Sequence, residues 1–433
     1  MKYSILTTVL LLVLFGSLKA QNKLTFDQAL ALTLENNYDI QMAQVDEEIS
    51  WNSASKANNG FLPTVTGTAG FNWIRTGGEF ETRAETRELE PNNSYNYNIG
   101  ATANYTLWDG QGRRYSYLQA KGRHQLSELQ LQLTIQNTIL ELSRIYHEVA
   151  RLEESTVALK DAVEISIERK KRAVYAYEYG QAKMLDVLNA KVDLNSDTIA
   201  LMTGIQEFEN LKRSLNFIMG QIIEQEFEID SIIDVNKLFA ESQVVLAAEQ
   251  NNLQLQLVKS NQALIGYSVG AAQSAWLPTI GANAGYNYRG QDDPNGAFVL
   301  GSRNFGPQAG LSLSWNLFNG SANTQVRNAR LSLKNSQIEQ QSLEQNIKSQ
   351  ALNAYATYRN LLFVMKAQKD NVKTSEDNFN RSEESYKLGQ ISSVEFRQAQ
   401  LNLLNSEQAL SRAKYDAKNA EYQVLAIMGE LVR

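Results

Sequence analysis

The 433-residue chain contains no cysteine. This absence excludes disulfide bonds, thiolate metal ligands, a cysteine nucleophile and an acyl-cysteine lipid anchor at the N-terminus. Any covalent or metal chemistry therefore has to come from other residue types.

Enzyme motifs are missing as well. The sequence has no phosphate-binding loop, no nucleophile elbow and no paired-carboxylate motif with supporting context. Its two histidines, His124 and His147, lie 23 residues apart on one predicted helix, too far for a ligand pair at i, i+4. We predict no enzymatic activity, no cofactor and no metal site.

Long apolar runs are absent after the first twenty residues. Those residues, MKYSILTTVLLLVLFGSLKA, combine a basic start with an apolar run that is too short to span a bilayer. They predict a secretory signal peptide at 1–20, although Leu18 and Lys19 fit the cleavage rule poorly; a buried N-terminal helix is the alternative. With no later transmembrane helix in the sequence, any membrane contact has to be made by strands.

The chain also lacks an excess of basic residues. It has 41 Lys and Arg against 47 Asp and Glu, for a net charge of −6. Because nucleic-acid affinity depends on neutralising phosphates, we expect no nucleic-acid partner.

What the chain does contain is a repeat of about 210 residues. Five segments recur in the same order at offsets of 209 to 215 residues. They pair ENNYDIQMA (35–43) with QNNLQLQLV (250–258), GFLPTVTGTAGFNW (60–73) with AWLPTIGANAGYNY (275–288), LWDG (107–110) with LFNG (317–320), AYEYGQ (176–181) with SYKLGQ (385–390), and NFIMGQ (216–221) with LAIMGE (425–430). We predict one structural unit used twice, at 21–225 and 226–433, with both copies in one intertwined domain.

Each unit contains two stretches in which apolar and polar residues alternate. They are Val65–Trp73, Tyr95–Leu107, Ile280–Tyr288 and Ala309–Leu317. Alternation with period two predicts four strands of about ten residues, paired in hairpins at 64–108 and 279–318. We interpret the polar stretches 75–94 and 290–307 as long hairpin loops.

The remaining sequence has helical spacing. The seam residues of the first long segment lie at steps averaging 3.5 residues, as in a coiled coil. They are Leu142, Ile145, Val149, Leu152, Thr156, Leu159 and Val163. A helix from Gly112 to about Tyr175 would be roughly 90 to 100 Å long, too long for a globular domain. A matching helix is expected over about 323–386, with shorter ones over about 25–57, 183–220, 240–274 and 392–428.

The four predicted strands cannot stand alone in a membrane. Each has an apolar, partly aromatic side and a side of Asn, Thr, Ser and Gly. This pattern is typical of an outer-membrane β-barrel. A soluble β-sandwich with one solvent-exposed face is the alternative. An open four-stranded sheet is excluded in hydrocarbon, because every backbone N–H and C=O has to be paired there. A barrel therefore requires several copies, and alternation does not choose between twelve strands from three copies and sixteen from four.

Gly110 and Gly320 follow the second strand of each hairpin. At these positions a residue without a side chain gives the backbone a joint between the strand and the long helix.

An ordered set of motifs is used twice along the chain. It comprises LTFDQALALTLENN (24–37) at the start, Leu-Pro at 62–63 and 277–278, LWDG and LFNG, and YEYGQAKMLDVLNA (177–190) with YKLGQISSVEFRQA (386–399). Together these motifs resemble outer-membrane efflux proteins of the TolC type over nearly the whole chain. Tyr38 and Leu253 stand where the family often has Pro, and Gln111 stands where a second Gly is common.

The resemblance implies a mainly α protein with a β portion. It implies a homotrimer with a twelve-stranded outer-membrane β-barrel, four strands per protomer, continued by a long periplasmic α-helical coiled-coil barrel. It also implies a periplasmic adaptor protein and an inner-membrane pump as partners, with outer-membrane lipid around the strands.

By the same resemblance, the turns between the long and shorter helices form the periplasmic tips that meet the adaptor. Their rim residues are Tyr179, Gly180, Gln181, Leu388, Gly389 and Gln390. A tight helix reversal needs a residue with free φ, and glycine meets that need.

An acid follows each tip glycine by six residues, Asp186 in the first unit and Glu395 in the second. In the family, acids at this step line the periplasmic aperture, so a trimer would place six carboxylates around a narrow pore. Such a ring would favour cations. A solvated helical face is the alternative explanation, and Asn189 and Gln398 stand where the family can carry a further acid.

The expected function is a passive exit duct of a tripartite efflux or type I secretion system. Its expected location is the outer membrane of a Gram-negative bacterium, with a large periplasmic portion. The alternative is a secreted coiled-coil structural protein or adhesin with β-hairpin ends.

Overall fold

The computed structural model describes residues 23–235, 237–292 and 300–432. The signal peptide predicted at 1–20 lies outside these residues. The elements in chain order are α1 (Phe26–Asn36), α2 (Tyr38–Ser53), β1 (Thr64–Glu81), β2 (Thr86–Trp108), α3 (Gly112–Glu178), α4 (Met184–Ile218), α5 (Glu241–Asn251), α6 (Leu253–Ser274), β3 (Thr279–Asp292), β4 (Gly301–Ser314), α7 (Gly320–Lys387) and α8 (Ser393–Ile427). The sequence helix, helix, strand, strand, long helix, helix thus occurs twice, in agreement with the predicted internal repeat.

The long helices α3 and α7 contain 67 and 68 residues. Both extend within a few residues of the predicted ends. In the part of the chain that the structure describes, no helix is both long and apolar enough to cross a membrane.

The helices predicted at 25–57 and 240–274 are not continuous, which corrects the prediction. The first is interrupted at Asn37 and the second at Asn252. The Asn37 side-chain oxygen accepts hydrogen bonds from the backbone N–H groups of Asp39 and Ile40, at 3.0 and 3.1 Å. Asn252 does the same for Gln254 and Leu255. Each asparagine caps a new helix, which is why the chain breaks there.

The same two asparagines also tie each new helix to the end of a more distant one. The Asn37 amide donates to the Ile218 carbonyl at 2.9 Å, and the Asn252 amide donates to the Ile427 carbonyl at 3.1 Å. The two links occupy equivalent places in the two repeats. Asn37 and Asn252 are both buried, so the links are shielded from water.

A glycine with positive φ follows the distant helix in each repeat, Gly220 at +64° and Gly429 at +69°. A Cβ on Gly220 would lie 2.3 Å from the Asn36 carbonyl oxygen, and one on Gly429 would lie 2.2 Å from the Asn251 carbonyl oxygen. Glycine is therefore required both by conformation and by close backbone approach.

The chain divides into two compact units. Unit 1 combines the segment up to Val45 with Leu129–Gln256 and the segment from Gln341 onward, whereas unit 2 combines Asp46–Glu128 with Leu257–Gln340. Each unit therefore draws on both halves of the sequence.

Unit 1 contains two hydrophobic clusters, one from each repeat. The first includes Leu142, Ile145, Tyr146, Val149, Leu215, Ile218 and Met219, and the second includes Leu255, Ile347, Tyr358, Val424 and Met428. The predicted seam residues from Leu142 to Leu159 are buried, except for the half-buried Thr156.

Each cluster contains a buried tyrosine. The Tyr146 hydroxyl lies 2.8 Å from the Leu24 carbonyl oxygen, and the Tyr358 hydroxyl donates to the Lys237 carbonyl at 2.7 Å. Burial raises the pKa of Tyr358 to about 12. Both hydroxyls thus stay protonated and link a long helix to a connecting segment.

Unit 2 contains one antiparallel sheet in the order β1-β2-β3-β4. Four strands are found as predicted, but they are longer, with 18, 23, 14 and 14 residues. β4 ends at Ser314 rather than at Leu317.

The prediction of a long loop at 75–94 is wrong. Most of that stretch continues β1 and β2, and the chain reverses between Thr82 and Glu85, where the Thr82 N–H donates to the Glu85 carbonyl at 2.9 Å. Of the loop predicted at 290–307, residues 290–292 and 301–307 belong to strands, and 293–299 lie outside the described residues. The error arises because polar residues beyond the apolar band still form backbone ladders, which alternation does not reveal.

Replacing Gly220 with Ala should destabilise the chain more than replacing Gly180 with Ala. Both glycines have positive φ, +64° and +71°, but only Gly220 meets backbone atoms within 3 Å. The left-handed backbone costs about 1–2 kcal/mol at either site, and forcing an atom into packed structure adds about 1–3 kcal/mol at Gly220. Denaturant midpoints of the two variants measure the difference, and Gly429→Ala against Gly389→Ala repeats the comparison. Equal losses within a pair would contradict the close-approach explanation.

Candidate functional site

One face of the sheet is apolar across all four strands. Directly paired residues share a face, and the register aligns Ala69, Ile99, Tyr288 and Phe305 in one row. The large side chains of this face are exposed in the single chain, with 61% for Ile99, 69% for Phe305 and 78% for Leu311. Such a continuous apolar surface is unfavourable in water and needs lipid or protein to cover it.

The opposite face carries small polar residues and glycines. One row consists of Thr66, Thr102, Gly285 and Gln308, and another includes Asn104, Asn283 and Gly310. The hydroxyl and amide groups of these side chains can form hydrogen bonds with water. The sheet therefore has one side suited to lipid and one suited to water.

Both edges of the sheet are open within the chain. β1 pairs only with β2, and β4 pairs only with β3, among the strands that the structure describes. Their outward N–H and C=O groups can pair with strands of another copy.

The joint after each hairpin is built around a helix cap. The Asp109 carboxylate accepts from the Arg113 N–H at 2.7 Å at the start of α3, and the Asn319 side chain accepts from the Ser321 N–H at 3.0 Å at the start of α7.

Gly110 has φ +64°, and its missing Cβ would lie 2.5 Å from the Leu277 Cβ. Gly320 is the first residue of α7, and nothing lies within 4 Å of its Cβ position. The two joints are therefore similar in capping but not in packing.

The two helical turns predicted as tips have the same backbone hydrogen bonds. Gln181 N–H donates to the Ala176 carbonyl at 2.7 Å and Gly180 N–H to the Tyr177 carbonyl at 3.0 Å. In the second turn, Gln390 donates to Ser385 and Gly389 to Tyr386. This is the Schellman motif, in which a left-handed residue closes the helix, and Gly180 and Gly389 have φ of +71° and +75°.

The rim side chains at these turns project into solvent in the single chain. Tyr179 is 81% exposed and Leu388 73% exposed. Gln181 and Gln390 are exposed as well. Two large apolar groups at exposed turn positions are available for contact with another protein.

The two turns also lie close to each other. The Arg172 guanidinium, near the end of α3, lies 5.3 Å from the Tyr386 ring centre near the end of α7. Arg169 Nη2 lies 3.3 Å from the Ser393 hydroxyl at the start of α8.

The two acids next to the turns act as helix caps. The Asp186 carboxylate accepts from the Lys183 N–H at 3.0 Å, and the Glu395 carboxylate accepts from the Ser392 N–H at 2.7 Å. In the second turn the Ser392 hydroxyl also accepts from the Glu395 N–H, which completes a capping box. The hydrogen bonds to Ser392 lower the pKa of Glu395. The lowered pKa extends the range over which this carboxylate is ionised to more acidic pH. The carboxylate has lone pairs beyond the one used in the capping hydrogen bond.

Two partly buried Arg–Asp pairs behind the turns were not found by sequence reasoning. Arg397 of α8 forms a bidentate pair with Asp197 of α4, at 2.7 Å for both contacts. Arg169 of α3 pairs with Asp193 of α4 at 2.9 Å. Ser166, at the point where the α3 seam becomes polar, donates to Asp197 at 2.5 Å. That polar seam residue was the signal that could have indicated the network.

Both histidines occur in α3, and they differ in their surroundings. His147 is buried in unit 1, where burial lowers its pKa to about 4, and its Nδ1–H donates to the Asn419 side-chain oxygen at 2.6 Å. A neutral, hydrogen-bonded His147 has a structural role.

Comparison with known proteins matches the chain in two segments, one in each repeat. The sequence profile of the outer membrane efflux protein family matches residues 29–221 and 244–430. The chain belongs to the outer membrane efflux protein family. It is therefore an outer-membrane exit duct that serves efflux or secretion systems as a passive conduit, with a large periplasmic part, and not an enzyme.

Individual relatives are distant but cover almost the whole chain. The outer membrane protein TolC of Vibrio cholerae is 22% identical over 414 residues, which cover 92% of this chain and 89% of that protein. The outer membrane efflux protein BepC of Brucella suis is 21% identical, with 94% and 86% covered. The CmeC outer membrane channel of Campylobacter jejuni has a similar fold, with a TM-score of 0.78 at 17% identity, and the match covers 94% of this chain and 86% of that one.

Proposed function

We propose that three copies of this chain form one outer-membrane exit duct with a shared twelve-stranded barrel. Each copy contributes the four strands β1 to β4, and the long helices α3 and α7 continue the wall into the periplasm. The duct receives substrates from an inner-membrane pump through a periplasmic adaptor, in an efflux or type I secretion system.

The open sheet is the observation that carries this proposal. It exposes an apolar face and leaves the outer edges of β1 and β4 without strand partners within the chain. In hydrocarbon an unsatisfied backbone group costs several kcal/mol, so each edge has to pair with an edge of a neighbouring copy. Three copies give twelve strands, a number that the resemblance to TolC-type proteins favours.

The polar face of the sheet supports an aqueous interior. Thr66, Thr102, Asn283 and Gln308 lie on that face, so closing the sheet with the apolar side outward leaves these groups around the lumen. A lumen lined by neutral polar side chains can hold water and let solutes pass without strong binding.

The helical turns support contact with an adaptor. Tyr179 and Leu388 are exposed beside Gly180 and Gly389, and Gln181 and Gln390 complete the two rims. Amide side chains next to large apolar ones are suited to a protein contact in which polar groups surround an apolar centre.

The acids at the turns support a charged aperture. Hydrogen bonding to Ser392 lowers the pKa of Glu395, and a trimer would bring six carboxylates, from Asp186 and Glu395, to the periplasmic end. A ring of fixed negative charge favours cations over anions and invites block by multivalent cations. Their capping role and an aperture role are compatible, because a carboxylate has lone pairs beyond those used in the cap.

Cell fractionation and mass measurement test the shared barrel. We expect the mature chain in the outer-membrane fraction, extractable only with detergent and with the mass of three chains. A chain that is recovered as a monomer in aqueous buffer without detergent would overturn the proposal and favour a secreted structural protein or adhesin.

Conservative substitutions separate the aperture charge from the helix cap. Glu395→Gln and Asp186→Asn keep an oxygen that can accept the capping hydrogen bond but remove the charge. Single-channel recordings in planar bilayers should show lower cation selectivity and weaker block by La³⁺ in both variants, with an unchanged denaturant midpoint. Glu395→Ala should in addition lose about 0.5–2 kcal/mol of stability. Glu384→Gln, a change at an exposed acid of α7, is the control. If Glu395→Gln and Asp186→Asn show the same cation selectivity and the same La³⁺ block as the unmodified channel, helix capping is the only role of the two acids.

A further inference from the structure

Three metal-ligating side chains come together in unit 2, among the residues that the structure describes. They are Glu47 on α2 and His124 and Glu128 on α3. One ligand atom from each side chain lies within 4.8 Å of the other two. His124 and Glu128 are four residues apart and therefore lie on the same face of their helix.

His124 has a carboxylate close to each ring nitrogen. Its Nδ1 lies 3.2 Å from the Glu47 Oε1, and its Nε2 lies 3.4 Å from the Glu128 Oε1. The Nδ1 atom is nevertheless buried without a hydrogen bond of acceptable geometry. A buried imidazole nitrogen without a hydrogen bond is costly, and metal coordination is one way to satisfy it.

The cluster is partly shielded from solvent. The Trp51 ring lies 5.0 Å from the His124 ring and covers one side of it. The His124 side chain is 14% exposed, and that of Glu47 is 28% exposed. The Glu128 side chain is 52% exposed and can rotate toward an ion.

We propose that Glu47, His124 and Glu128 bind one divalent transition-metal ion of the zinc class and thereby clamp α2 to α3. One imidazole and two carboxylates suit Zn²⁺, Co²⁺ or Ni²⁺, whereas Mg²⁺ and Ca²⁺ prefer ligand sets made only of oxygen. The two ring nitrogens point in different directions, so one ion binds only one of them, and we place it on Nδ1 beside Glu47. To reach a metal–ligand distance of about 2.0–2.2 Å, Glu47 has to move inward and Glu128, which now lies nearer Nε2, has to rotate toward Nδ1. Three protein ligands leave further coordination positions to water.

The clamp would act beside the first hairpin of the sheet. α2 ends 11 residues before β1 begins, and α3 begins four residues after β2 ends. An ion held by both helices would restrain the two chain segments that enter and leave the β1–β2 hairpin. The site is independent of the proposed aperture, because its three ligands lie in unit 2 and the helical turns lie in unit 1.

The sequence prediction of no metal site considered only a pair of histidines, and it stays untested until an ion is sought at this cluster. The helical spacing His124-x-x-x-Glu128 was visible in the sequence. The third ligand, Glu47, comes from before the hairpin, so only the fold brings it close.

Calorimetric titration of the full chain in detergent tests the site. After treatment with a chelator, the wild-type chain should bind one Zn²⁺ per protomer, with much weaker binding of Mg²⁺. His124→Gln and Glu128→Gln should each weaken Zn²⁺ binding by at least about tenfold. Asp46→Asn, a change at the exposed acid next to Glu47, should leave it unchanged. Equal Zn²⁺ binding by the wild type and both ligand variants would overturn the proposal, as would the absence of Zn²⁺ binding.

Tryptophan fluorescence gives a second readout that does not depend on stability. Co²⁺ bound at the cluster should quench Trp51, which is near His124, and the quenching should be lost in Trp51→Phe and in Glu128→Gln. Glu128 is exposed, so its replacement should leave the oligomer mass unchanged. Quenching that persists in both variants would show that Co²⁺ binds elsewhere and would contradict the site.

Discussion

Backbone hydrogen bonding in hydrocarbon is the constraint on which the rest of this structure depends. A β-sheet in a membrane has to close, because lipid offers no partner for an edge strand. This chain has four strands with an apolar face and two open edges. In the proposed duct it therefore has to share its barrel with other copies. In that proposal, the long helices, the repeat and the turns all belong to a wall that several copies build together.

The repeat explains how one chain supplies equivalent parts to such a wall. Each half caps a helix with an asparagine, Asn37 or Asn252, and ties that cap to the end of a distant helix next to Gly220 or Gly429. A tyrosine, Tyr146 or Tyr358, links the long helix to a connecting segment in each half. The two halves thus have nearly equivalent packing, and small differences, such as those between Gly110 and Gly320, are confined to the joints.

Much of this fold could be predicted because its signals are periodic and repeated. Alternation located most of the apolar face of β1, β2 and β3 and part of that of β4, and the steps from Leu142 to Leu159 located the buried seam of α3. What could not be predicted depends on pairing between distant residues. The polar extension of β1 beyond Trp73 is held by backbone ladders without an apolar pattern. The Arg397–Asp197 pair joins helices 200 residues apart, and Glu47 meets His124 only in the fold. At the turns, the sequence predicted the positions of Asp186 and Glu395 near a glycine but not their use as helix caps.

Disulfide cross-linking between the edge strands tests the central claim most directly, because the chain has no cysteine of its own. A cysteine at Thr66 in β1 is combined with one at Gly310, Ser312 or Ser314 in β4, all on the polar face of the sheet. If β1 of one copy pairs with β4 of the next, oxidation in outer membranes should yield covalently linked dimers and trimers for at least one combination, and neither single variant should yield trimers. Monomers alone for every combination would contradict a barrel shared between copies.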